Sequence, residues 1–172
     1  MDSSAMWGLL GTVIGAAASI ATAWLAARSS HDLERAKSRE ERSEQARAFQ
    51  RQTLLELQEA VHDVLRLVIR CYHEDHLAHR AGQDWSKIVL SEEVSVGVRL
   101  ALRRVFILVE RVADDDLRVS VKHLTGTAER VLMAHSEKEA RSHLDKITQD
   151  YEPLNEEIGT VLRRYYEAAQ GQ

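Results

Sequence analysis

Residues 54–71 read LLELQEAVHDVLRLVIRC. Within them Leu54, Leu57, Val61, Val64, Val68 and Cys71 recur at alternating steps of three and four, which gathers them on one side of a helix. A strand needs steps of two, so the stretch is predicted to be a helix with one buried stripe. Such a stripe has to be covered, and three more segments carry matching ones. The second runs Val94, Val98, Ala101, Val105, Leu108, Val112, and the third Leu117, Val121, Leu124, Ala128, Val131, His135. The fourth runs Ala140, Leu144, Ile147, Tyr151, Leu154, Ile158, Val161, Tyr165. Together they predict an all-α chain whose residues 53–172 form an antiparallel four-helix bundle.

Punctuation falls between the stripes. Ala81-Gly82-Gln83-Asp84 closes the first helix, and Asp114-Asp115-Asp116 separates the second from the third. Ser136 with Glu139 makes a capping box that opens the fourth. Pro153 lies inside the fourth stripe without taking a core position, and is predicted to kink or divide that helix near Glu152. Val94-Ser95-Val96-Gly97-Val98 alternates as a strand would, but the three-four stripe runs on to Val112 and favours helix. Leu100, Leu102, Phe106, Ile107 and Val109 widen the second stripe, so that segment is expected to be the most buried helix or to meet a second copy of the chain. His135, as a stripe member, is expected at a cap or an interface.

Towards the N-terminus the pattern changes twice. Residues 28–52 carry seven Lys/Arg against five acids and almost no apolar face apart from Leu33 and Phe49. This mixed-sign stretch without Gly or Pro is predicted to be a charged helical stalk. Its small positive excess is weak beside the clusters of basic residues that hold lipid headgroups.

Before it, after a six-residue flank (1–6), residues 7–27 read WGLLGTVIGAAASIATAWLAA, without a charge. A helix of that length is roughly 31 Å long, enough to span a bilayer core, with Trp7 and Trp24 near the two interfaces. A cleaved signal peptide is the rival reading, since Ala21-Thr22-Ala23 imitates a cleavage site. Against it, residues 1–6 carry no Lys or Arg and the apolar run is too long. Basic residues follow the span (Arg28, Arg35, Lys37, Arg39, Arg42) and none precedes it, which predicts an inner (plasma) membrane protein with its N-terminus outside and its C-terminal domain in the cytoplasm. Gly11, Gly15, Ser19 and Ala23 recur every four residues, a small-residue stripe along which two spans could pack.

Composition excludes little. The formal charge is −4 with 29% charged and 44% apolar residues, a folded chain with no call for a nucleic-acid partner. The single Cys71 excludes an intramolecular disulfide.

Chemistry-bearing patterns are few. In His73-Glu74-Asp75-His76-Leu77-Ala78-His79 the histidines step by three, and imidazoles at such spacing can share a metal when they face one side. Three such steps drift around the helix, and the run is not His-Glu-x-x-His. All-helical nucleases of the HEPN type use an arginine followed four to six residues later by a histidine. Arg70…His76, Arg118…His123 and Arg130…His135 resemble that spacing, and three matches in a chain rich in both residues are what chance supplies. The Asp114–Asp116 run has a sufficient reason in helix capping. No Gly-rich phosphate loop or nucleophile elbow is present, and no cofactor is expected.

The plan of one span, a stalk and a short bundle is loosely similar to that of many bacterial membrane proteins and singles out no family. It predicts a self-associating, membrane-anchored interaction or scaffold protein whose partners are the lipid bilayer, further copies of itself and an unknown cytoplasmic protein. A pore- or lesion-forming effector comes second, and a helical nuclease or metal-dependent enzyme third.

Overall fold

In a computed structural model the chain is built of helices. The structure describes the backbone of residues 3–170; side chains are described over residues 33–167 and, before that, at Ser19, Thr22, Trp24, Arg28, Ser30 and His31. Four α-helices follow in order, α1 Ser3–Arg80, α2 Glu92–Val109, α3 Asp115–Leu132 and α4 Glu137–Gln170, with a 3-10 turn at Trp85–Lys87. Among the described residues there is no strand. The chain divides into two compact units, Met1–Ala46 and Arg47–Gln172, and α1 contributes to both.

Within the second unit most members of each predicted stripe are buried, with Ala101, Leu144, Tyr151 and Tyr165 partly so. Leu54, Leu57, Val105, Leu117, Val121, Leu124 and Ile158 are almost wholly removed from solvent, each contributing about 1.5–3 kcal/mol by leaving water. Cross-helix contacts fix the directions of the helices. From α1 to α4, Gln58 reaches Asn155 (3.5 Å), His62 meets Tyr151 (3.3 Å) and His76 meets Glu137 (2.7 Å), one number rising as the other falls. From α1 to α2, Glu59 pairs with Arg104 and Arg70 with Glu93, both at 3.7 Å. Both neighbours therefore run antiparallel to α1.

The turns are built as their residues dictate. Gly82 takes φ of +98°, and the amides of Gly82 and Gln83 donate to the carbonyls of His79 and Ala78, closing α1 with a Schellman motif. Ser91 and Asp114 cap α2 and α3 by accepting from the amides of Val94 and Leu117. Residues 94–98 are helical, as the stripe requires. At α4, Ser136 accepts from the Glu139 amide, while the Glu139 carboxylate reaches one residue further back than a capping box does, to the amide of His135.

Three expectations need correction. Pro153 does not divide α4, which continues through it to Gln170 with the ring exposed. His135 is not on a core face: α3 ends at Leu132, so the three-four step outruns the helix and leaves His135 exposed in the following turn. The second segment is not the most buried helix, because Leu100, Phe106 and Ile107 are 61%, 44% and 46% exposed. Thr125 and Thr127, off the apolar stripe, are buried; their hydroxyls donate to the carbonyls of Val121 (2.9 Å) and His123 (3.0 Å), which satisfies them inside the helix.

The expected span at 7–27, with its stripe Gly11, Gly15, Ser19 and Ala23, falls on residues whose side chains, Ser19, Thr22 and Trp24 apart, lie outside the described ones. No helix among the described residues is long and apolar enough to cross a membrane.

Candidate interaction surfaces

The histidine run near the end of α1 separates into three different environments. His76 donates from Nδ1 to Glu137 Oε1 at 2.7 Å, because a carboxylate can only accept. His79 donates from Nδ1 to the carbonyl of Gln83 (2.9 Å), which turns its Nε2 towards Glu137 Oε2 at 3.9 Å. His73 is exposed and joins neither contact. Among the described residues no three His, Cys, Asp or Glu side chains are placed to hold a metal ion. What His76, His79 and Glu137 do instead is join two helix ends: a carboxylate in the first turn of α4, where that helix's dipole favours a negative charge, faces imidazoles near the end of α1. Tyr72 stacks on His76 (5.9 Å between centroids), and Trp85 meets His79 edge-on.

The three Arg–His spacings are not brought together. Arg70 is held by Glu74 at 2.9 Å, Arg118 by Asp115 and by the Val112 carbonyl, and His123 by Asp150 at 3.4 Å. Arg130 and His135 are exposed. His123 and Asp150, with Ser120, Pro153 and Glu157, line a groove of about 310 Å³ formed by α3 and α4.

A different residue of the same run occupies a more unusual place. The steps that carry Val64, Val68 and Cys71 continue to Asp75 and then Ala78, so a carboxylate stands where the stripe calls for an apolar side chain. Asp75 is half-buried and forms no hydrogen bond or ion pair among the described residues. Burial raises its carboxyl above the ordinary aspartate range, and the neighbouring Glu74 adds to this. It lines a recess of about 400 Å³ with Trp85, Leu90, Ser95, Leu132 and Met133, drawn from the α1–α2 connection, α2 and the end of α3. The signal was present in the sequence, as a charge at the next stripe position after Cys71. Trp85, in contrast, carried none: a lone tryptophan in a polar loop gives no hint that it is 9% exposed and wedged beneath the turn.

The outward face of α2 is the third feature. Val96, Leu100, Arg103 and Ile107 follow one another at steps of four, three and four, all exposed, with Phe106 and Arg99 on the adjoining strip of the same outer side. Arg99 and Arg103 form no ion pair among the described residues. Apolar side chains interleaved with arginine are the composition found at the cores of protein interfaces.

Compared with protein-family models, with curated proteins and with solved structures, the chain matches none.

Proposed function

We propose that this chain is a single-span, membrane-anchored interaction protein, self-associating through residues 7–27 and presenting a helical bundle in the cytoplasm. The observation that carries the interaction reading is the outer face of α2. Leu100, Phe106 and Ile107 stand in solvent beside Arg99 and Arg103, which form no ion pair among the described residues, although the helix has a buried stripe of its own. Apolar residues in excess of what the core uses mark a surface that another molecule covers.

The anchor reading is supported by the uncharged run from Trp7 to Ala27, all of it within the helical residues of α1. At the end of the run the Arg28 guanidinium lies 5.4 Å from the centre of the Trp24 indole, a pairing of aromatic and basic side chains suited to a headgroup layer. Close packing of two spans along Gly11, Gly15, Ser19 and Ala23 is the self-association this reading requires.

A reporter active only in the cytoplasm, fused after Gln172, tests it together with extraction of membranes at alkaline pH. Activity of the fusion and retention in the extracted membrane are expected. Release of the protein would overturn the anchor, and activity only of a reporter that works outside would overturn the cytoplasmic placement of the bundle.

A further inference from the structure

We propose that the recess at Asp75 is a binding site for an organic cation, a primary ammonium or guanidinium group carried on a short alkyl stem. A carboxylate placed on a core stripe gives up hydration, and that loss is ordinarily offset by a hydrogen-bond donor or a cation. Asp75 has neither among the described residues.

Of the basic groups nearby, the His135 imidazole lines the recess without a hydrogen bond or ion pair to Asp75 among the described residues, and those on α1 and in the α1–α2 connection are engaged elsewhere. On α1, Arg70 is committed to Glu74 and Glu93, and His76 and His79 to Glu137. Lys87, in the connection, pairs with Asp84 at 3.4 Å. The room left beside Asp75, about 400 Å³, exceeds what water bridging one carboxylate needs and suits a group of several heavy atoms.

Its walls define the rest of the ligand. Most of the exposed lining is polar, so Leu90, Leu132 and Met133 give only a short stem apolar contact, while the Ser95 hydroxyl, which forms no hydrogen bond among the described residues, can take a second polar contact. Trp85 is fixed at the edge of the recess by its own bond to the Ala134 carbonyl (3.0 Å), so the site is pre-shaped and does not require the bundle to open. Raised by burial, the Asp75 carboxyl is also the kind of perturbed group that marks binding sites.

The cation can arrive as a free small molecule or as the Lys or Arg side chain of a partner protein. The site is independent of the anchor reading, because every group in it lies in the second unit.

The test uses the full chain in detergent micelles and follows the Trp85 indole N–H by NMR, assigned with Trp85→Phe. The probes are n-butylammonium, n-butylguanidinium, n-butanol and an acetylated peptide with one central arginine. Saturable shifts with either cation, none with butanol, and at least a tenfold weakening in Asp75→Asn are expected. Binding of the small cations alone assigns the site to a free molecule, and binding of the peptide as well assigns it to a side chain. No saturable shift with any cation, equal response to butanol, or unchanged binding in Asp75→Asn would overturn the inference. Asp75→Asn keeps the shape of the side chain, and Ser95→Ala, expected to weaken binding less, provides a second variant should the first fail to fold.

Discussion

The indole N–H of Trp85 donates to the carbonyl oxygen of Ala134 at 3.0 Å, tying the connection between α1 and α2 to the turn between α3 and α4. The ring is nearly buried, and Tyr72 and His79 pack on it at 6.0 and 5.8 Å between centroids. One side chain thus holds both connections at that end of the bundle. Trp85→Phe should retain most of the packing and cost about 1 kcal/mol for the lost bond, whereas Trp85→Ala should cost about 3–5 kcal/mol. Urea unfolding of the full chain in micelles measures both; equal midpoints for the two variants would show that the ring does not bear on the core.

Cys71 gives an alkaline signature. Burial, then the nearby Asp75 and Glu74 carboxylates, push its thiol up to about 11 from the usual 9.0. A group whose folded pKa is raised contributes stability that is complete below the unfolded value and lost as pH climbs through the folded one. Stability should therefore fall between pH 9 and 11, and Cys71→Ala should flatten that fall. In the native protein at pH 8 the thiol should resist alkylation until denaturant is added. Prompt modification without denaturant would contradict the burial.

Leu117 and Thr127 are both fully buried on α3, yet substitutions at the two positions should differ in size. Leu117→Ala leaves a cavity and should cost about 2–5 kcal/mol. Thr127→Val replaces a hydroxyl bonded to the His123 carbonyl by a methyl of the same shape, and that carbonyl already accepts within the helix; the change should stay within about 1 kcal/mol. Melting curves of the two variants decide the matter, and a severe loss in Thr127→Val would mean that its hydroxyl has a further role.

For the span, Gly15→Ile should push apart two helices that meet along the small-residue stripe, while Ile14→Leu, off the stripe, should have little effect. A membrane two-hybrid assay on residues 1–30 alone avoids interference from the bundle. Identical signal from wild type and both variants would remove the basis for self-association through the span.

What was legible in the sequence was whatever a period can carry. Leu54 to Cys71 and Ala140 to Tyr165 announced their helices because burial on one face forces apolar residues to recur at the helical step. Periodicity does not know where a helix stops, which is why His135, one step beyond Val131, read as core although Met133 and Ala134 already form the turn. It is equally blind to neighbours: Leu100, Phe106 and Ile107 are apolar on a helical face, and only the positions of α1 and α3 decide that nothing covers them. Asp75 was obscured by chemistry of greater familiarity, the histidines on either side of it. Trp85 and its bond to Ala134 depend on a contact 49 residues apart, beyond the reach of any local pattern.

Gln50, near the start of the second unit, grips the turn between α2 and α3 with both ends of its carboxamide. Its Nε2 donates to the Arg111 carbonyl at 2.9 Å and its Oε1 accepts from the Ala113 amide at 3.0 Å. Both partners are main-chain atoms, which every residue type except proline supplies alike. The contact therefore places its demand on one position only. A glutamate there would turn an acceptor towards a carbonyl, and an asparagine would fall short of the turn. Lineages descended from this chain should consequently let positions 111 and 113 drift while holding glutamine at 50, so that a pattern of substitution with no covarying partner would still record a structural bond.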